Sequence, residues 1–279
     1  MSKTDAEVDV MLEDAPAQAA ALGGDVENSD RDYVNAFARG LEVIRVFSRN
    51  RPKMTLSEVA QATDMTRATV RRFLLTLVRE GYCETDGKYF SLRPKILELG
   101  FSVLSSMDIW DVAQPIMNEL AEALQESCFA AVLDGDSVLY VVRASSQRFV
   151  NVGITIGSRV PAHCVSTGRV LLAALPDAEL QDILDNAKFP KFTPNTVTSK
   201  VKLRSLIEET RLQGWAIVDQ ELEIGLRSLS VPIRDRNGAV IAALNVCCPS
   251  MRITPEDMRT RVLLAVMEAS NRITRSLQA

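Results

Sequence analysis

Between Thr55 and Leu92 the apolar positions change period twice. Leu56, Val59, Ala60 and Thr63 recur at helical spacing. After the short polar break Thr63-Asp64-Met65 the period resumes at Val70, Leu74, Leu77 and Val78. Gly81 supplies the residue tolerant of positive φ that ends a helix. Cys83 to Thr85 and Lys88 to Leu92 flank Asp86-Gly87, the dipeptide of a tight hairpin. The pattern predicts helix, turn, helix and a two-stranded wing, the winged form of the helix-turn-helix. Upstream, Val34, Phe37, Leu41, Ile44 and Phe47 predict a supporting helix with its apolar face toward this unit. Downstream, Pro94 opens a linker helix over residues 94–109. Its broad face of Ile96, Leu97, Phe101, Val103 and Leu104 predicts a dimer contact.

A further helix, Asp111 to Leu124, turns Ile116, Leu120 and Leu124 inward, and from Cys128 the apolar runs shorten. CFAAVL and SVLYVVRA flank Asp134-Gly135-Asp136 as a hairpin, and FVNVGITIG reads as another strand. Gly168 to Leu175, Asp177 to Asn186 and Lys200 to Gln213 read as helices, the last ended by Gly214. WAIVD, LRSLSVPIRD and AVIAALNVCCP read as strands, the last two joined at Asn237-Gly238. Thr254-Pro255-Glu256-Asp257 starts a final helix, with a cap, a first-turn proline and acids at the positive end of the helix dipole. Hairpins mixed with helices predict an α+β domain around an antiparallel sheet over residues 110–279.

Charge divides the chain in the same places. Residues 1–33 carry 2 basic and 9 acidic side chains; residues 34–94 carry 11 and 6; the remaining 185 carry 19 and 21. A pI near 5.3 therefore conceals one basic module within residues 33–93, the electrostatic footprint of a specific DNA binder. Residues 1–32 are acidic, Ala-rich and too poor in large apolar groups to offset ordering entropy, so they predict a disordered tail. No apolar run approaches the ~18 residues of a membrane span, and the N-terminus lacks a secretory pattern. Five cysteines without CxxC spacing read as reduced thiols of a cytoplasmic protein.

On the cationic helix Thr66, Arg67, Thr69, Arg71 and Arg72 are placed to reach base edges or phosphates in a major groove of double-stranded DNA. Arg51, Lys53, Thr55 and the wing's Lys88 are placed for backbone phosphates, which fix register without reading sequence. In the second domain Ser166-Thr167-Gly168 follows Pro161 at a helix start, where free N–H groups hold an oxyanion. Arg143, Arg148, Arg159, Arg169 and Arg227 are candidate charge partners for a carboxylate. Two other readings compete. His163-Cys164 beside Ser166 suggests a hydrolase-like nucleophile, but neighbours on an extended segment point to opposite faces and no Gly-x-Ser-x-Gly elbow is present. Cys164, Cys247, Cys248 and His163 offer soft ligands for a metal- or redox-responsive regulator, but vicinal Cys247-Cys248 fall on opposite faces of a strand. No cofactor is indicated. His163, the chain's single histidine, borders the pocket or serves structure.

Three blocks in order, LSEVAQATDMTRATVRRFLLTLVREGY, GSRVPAHCVSTGRVLLA and GWAIVDQELEIGLRSLSVPI, resemble the IclR family of bacterial transcription regulators from about Tyr33 onward. RFLLTLVREGY with STGRVLLAALP looks most like the Pca and Pob regulators of aromatic-acid catabolism, the β-ketoadipate pathway. The resemblance implies a winged-helix domain, a linker helix and a GAF-like effector domain. It implies homodimers, often paired into tetramers on an operator, and a small organic acid as effector. By motif it implies pocket residues Ser166, Thr167, Asp219, Ser228, Asn245 and Cys247, to which Arg159 and His163 are added as candidates. The chain departs from the family pattern at Arg169, at Gln220-Glu221 and at Ser228, where lysine, two acids and cysteine are common.

Overall fold

A computed structural model describes residues 33–48, 51–99, 109–145 and 154–278, which fall into two compact units. The acidic tail, most of the linker segment, Arg148 and the first five residues of FVNVGITIG lie outside the described residues.

The first unit contains α1 (Asn35–Arg45), β1 (Met54–Thr55), α2 (Leu56–Ala62), α3 (Arg67–Arg79), β2 (Cys83–Thr85) and β3 (Tyr89–Leu92). Each boundary has a local cause. Thr55 and Glu58 form a reciprocal capping box at the start of α2, and Thr66 caps α3 by accepting from the Thr69 amide. Gly81 at φ 81° turns the chain out of α3, and Gly87 at φ 95° closes the hairpin. Asp86 Oδ1 fixes that hairpin by accepting from the amides of Lys88 and Tyr89.

Two expectations change here. The wing has three strands, in the order β1-β3-β2, because Met54 and Thr55 pair with Phe90 and Tyr89. A two-residue strand is too short to show alternation in sequence. In α1 the buried residue is Val43, whereas Tyr33, Val34 and Phe37 are 60%, 64% and 68% exposed. Gly40 faces the Phe73 ring, so α1 meets α3 through its C-terminal half and leaves its first turns uncovered.

The second unit contains α4 (Ile109–Leu124), β4 (Ser127–Asp134), β5 (Ser137–Ala144) and β6 (Arg159–Pro161). It continues with α5 (Ser166–Ala173), α6 (Asp177–Asn186), α7 (Lys200–Gln213), β7 (Ala216–Asp219), β8 (Leu226–Arg234), β9 (Val240–Pro249) and α8 (Leu263–Gln278). The six strands form one antiparallel sheet in the order β6-β5-β4-β9-β8-β7. Helices α4 and α8 pack together against it, and α5 packs on its other face with α7 behind α5. Cys128 to Ala131 are wholly buried, which is why CFAAVL reads as a continuous apolar run. Ile154 to Gly157 form a turn instead of a strand, and β6 begins after it, at Arg159.

Every residue of α5 is buried. It reaches that depth because Gly168 lies against the backbone of Ala162. A Cβ at Gly168 would overlap the Ala162 carbonyl oxygen and Cα, and no flexible side-chain end is there to yield. Gly168→Ala should therefore destabilise the second unit by on the order of 3 kcal/mol. A thermal melt of the full chain followed by circular dichroism should show a clearly lowered transition; an unchanged melt would contradict this packing.

Candidate DNA-reading face and effector pocket

On the first unit α3 exposes Arg67, Arg71 and Arg72, with Arg67 and Arg71 one turn apart on one side. Thr66 and Thr69 are joined hydroxyl to hydroxyl at 2.9 Å, so both are committed to the helix start. Thr55 is similarly held by its capping box, with its amide and hydroxyl donating to Glu58 Oε2 at 2.6 and 2.7 Å. Its side chain serves α2 before any phosphate. Arg51 and Lys88 both act on Glu58, and Lys53 acts on Asp86, so the three predicted phosphate contacts gather around the wing and the start of α2. The Lys88 ammonium lies 5.0 Å from the centroid of the Tyr89 ring.

In the second unit the sheet brings together four of the predicted effector residues. Ser166, in the first turn of α5, meets the inward side chains of β8 and β9. Its hydroxyl is 2.9 Å from Ser228 Oγ, 2.8 Å from Ser230 Oγ and 3.0 Å from Asn245 Nδ2. Cys247 Sγ donates to Asn245 Oδ1 at 3.0 Å. Thr167, next along α5, meets the Tyr140 hydroxyl at 3.3 Å. Burial pushes the pKa of the Tyr140 phenol up.

Beside this polar cluster lies a cavity bordered by Tyr140, Ile154, Val218, Leu222, Ser228 and Cys247. It encloses about 10 Å³, room for roughly one water molecule. Cys164 and Glu221 also line it. A larger cleft of about 270 Å³ opens between the C-terminal ends of α5 and α7 and the β8–β9 turn. Its Arg211 is occupied by the carbonyls of Ala173 and Leu175 and by Asp177. The smaller cavity is where buried polar groups converge on an apolar wall, the arrangement of a ligand site.

Besides Thr167, three predicted residues lie outside that cluster. Asp219 is paired with Arg227 at 2.9 Å, opposite it across β7 and β8. Strand alternation sends Val218 and Ser228 to the cavity and Asp219 with Arg227 to the other face. Arg159 binds the carboxylate and carbonyl of Asp134 at an exposed corner. His163 donates from Nε2 to the Pro190 carbonyl at 3.1 Å and packs between Phe189 and Phe192; burial lowers its pKa.

His163 and Cys164 occupy a tight helical turn, Ala162–Cys164, and not the extended segment expected. Ser166 is bonded to hydroxyl and amide groups, and His163 to a backbone carbonyl, so no nucleophile–base pair is assembled from them. Cys247 belongs to the α5 side of the sheet and Cys248 to the α4–α8 side. Burial raises the pKa of both thiols, as it does for Cys128 and Cys164, which makes them poor thiolates. Among the described residues no three His, Cys, Asp or Glu side chains converge as a metal site.

Sequence reasoning missed Ser230, Tyr140 and Glu221. Ser230 was accessible through alternation, two residues along β8 from Ser228. Arg169 was one of five candidate cations. Its Nη2 donates to Glu221 Oε1 at 2.6 Å, and both side chains are buried.

A winged DNA reader and a sheet domain holding a buried polar pocket, on one chain, define a ligand-responsive DNA-binding transcription regulator. Residues 36–87 match the IclR helix-turn-helix domain, and residues 101–275 match the bacterial transcriptional regulator IclR C-terminal domain. The chain belongs to the IclR family and is a regulator, not an enzyme. It is 40% identical over 249 residues to the Pca regulon regulatory protein of Pseudomonas putida, covering 89% of this chain and 86% of that one. It is 32% identical over 248 residues to the p-hydroxybenzoate hydroxylase transcriptional activator of Acinetobacter baylyi, covering 87% and 91%. The IclR homolog of Microbacterium hydrocarbonoxydans, crystallised with 4-hydroxybenzoate, superposes with a TM-score of 0.78 at 26% identity, over 87% of this chain and 99% of that one. Among the described residues no helix is long and apolar enough to cross a membrane.

Ser166→Ala should leave the buried Ser228, Ser230 and Asn245 short of a shared partner. A loss of about 1–3 kcal/mol in the urea unfolding of the second unit is expected. Unchanged stability would mean that water fills the place of the hydroxyl.

Proposed function

We propose that residues 33–93 read an operator, residues 94–109 link, and residues 110–279 bind a small aromatic or dicarboxylic acid that governs genes of aromatic-acid catabolism in the cytoplasm. The observation that carries the effector reading is the buried cluster of Ser166, Ser228, Ser230, Asn245 and Cys247 beside an apolar cavity at the N-terminus of α5. A planar acid suits that wall: its ring takes the apolar side chains, and its oxygens take hydroxyls and helix amides. The relatives named for Pca and p-hydroxybenzoate regulation, and the homolog bound to 4-hydroxybenzoate, support the same ligand class. In about 10 Å³ no such acid fits, so binding opens the cavity. Any effect on DNA is then bounded by the acid's differential affinity for the closed and open states.

The exposed Tyr33 and Val34 just before α1 and Phe37 in its first turn support a homodimer, with paired dimers on longer operators. Two-fold pairing of readers places half-sites near whole helical turns apart. Thermal shift against protocatechuate, 4-hydroxybenzoate and β-ketoadipate tests the effector reading. An acid at 100 times its Kd should stabilise the protein by about 2.7 kcal/mol. No response to any of the three would sink the ligand class. On the DNA side, Arg67→Ala or Arg71→Ala should cost about 1–3 kcal/mol at one base position of the operator. Equal loss on every sequence would assign that arginine to phosphate.

A further inference from the structure

Among the arginines considered for the effector carboxylate, the described ones differ in what already holds them. Arg159 is held by Asp134 at the surface, and Arg227 by Asp219 and the Ile253 carbonyl on the far face. Arg143 bonds Ser145 and covers the Phe129 ring. Arg169 is different. It is 4% exposed, its Nη2 donates to Glu221 Oε1 at 2.6 Å, and its Nε is buried with no acceptor. The Arg227 Nε is buried without an acceptor too, but beside Asp219 on the far face, whereas Glu221, the partner of Arg169, lines the cavity. A guanidinium presents its donors as a planar fork that a carboxylate fills with two oxygens. Here that fork is only partly filled.

Glu221 completes the picture. Glu221 lines the closed cavity. Its second oxygen, Oε2, accepts from the Val197 amide at 3.1 Å. Its backbone is fixed independently of Arg169: Thr196 Oγ1 donates to the Glu221 carbonyl at 2.6 Å, and Thr193 Oγ1 to the Gln220 carbonyl at 2.7 Å. Gln220 itself sits at φ 58°, and its Oε1 accepts from the Gly225 amide at 3.0 Å. The carboxylate can therefore leave Arg169, keep its bond to Val197 and move without unfolding the loop that carries it.

We propose that Glu221 is a resident anion that an acid effector displaces from Arg169, the guanidinium then taking the effector carboxylate on its unfilled donors. Glu221 thus sets acid affinity and admits only ligands whose carboxylate outcompetes it. This rests on the organic-acid reading of the pocket. It makes a prediction opposite in sign to that of a purely structural ion pair, whose loss could only loosen the site.

The test is calorimetric titration of the full chain with 4-hydroxybenzoate and protocatechuate, each beside its neutral amide. Glu221→Gln keeps the shape and the acceptor for Val197 but removes the competing charge. It should bind the acid about tenfold tighter or better, with amide affinity unchanged. Arg169→Lys keeps the charge without the fork and should lower the preference for acid over amide by about tenfold, which preserves a readout if Glu221→Gln fails to fold. Acid binding by Glu221→Gln that is unchanged or weaker, or a gain shared equally by the amide, overturns the proposal while leaving the pocket assignment intact. Failure of the wild-type chain to bind either acid overturns the organic-acid reading and this proposal with it.

Discussion

Helix α5 is buried from Ser166 to Ala173, and the second unit is arranged to make that burial tolerable. A helix inside a protein brings unsatisfied amides at its start and needs close neighbours along its sides. Gly168 meets the second need by letting the Ala162 backbone approach closer than any side chain would permit. Ser228, Ser230 and Asn245 answer the polarity of the first turn by bonding Ser166. The same polarity that the sheet satisfies in the closed state is what an acid would use in an open one. Pocket and core are thus one piece of structure, and a ligand entering there must rearrange packing and not merely fill space.

The DNA reader follows a different economy. Its core is small, formed by Val43, Met54, Val59, Val70, Leu74, Cys83 and Phe90. Local devices set its shape: two N-caps, one of them a full capping box, and two glycines at positive φ. Those devices leave the charged side of α3 free of structural duty, so Arg67, Arg71 and Arg72 project outward while the neighbouring threonines hold the helix start.

What could be read from sequence follows from this contrast. Turns and caps depend on a few adjacent residues, so the helix-turn-helix and its hairpin were legible. The strand at Met54–Thr55 was not, because two residues carry no period. An apolar stripe does not say what covers it: of the stripe Val34, Phe37, Leu41, Ile44 and Phe47, Val34 and Phe37 stand exposed. In the sensor, motif positions brought Ser166, Ser228, Asn245 and Cys247 to one place. Asp219 stands on the other face because alternation along β7 gives the cavity to Val218. His163 could not be placed, since a single turn of helix in an otherwise extended stretch has no sequence period. The Arg169–Glu221 pair joins residues 52 apart and is invisible without the fold.

In the proposed function, effector acid enters between α5 and the sheet beneath the segment from Gln220 to Leu226. Hydrogen–deuterium exchange of the full chain, with and without saturating protocatechuate or 4-hydroxybenzoate, tests it most directly. Altered protection is expected in residues 164–168 and 220–228. Change confined to the cleft lined by Arg211, Arg234 and Gly238, with those two segments untouched, would contradict it.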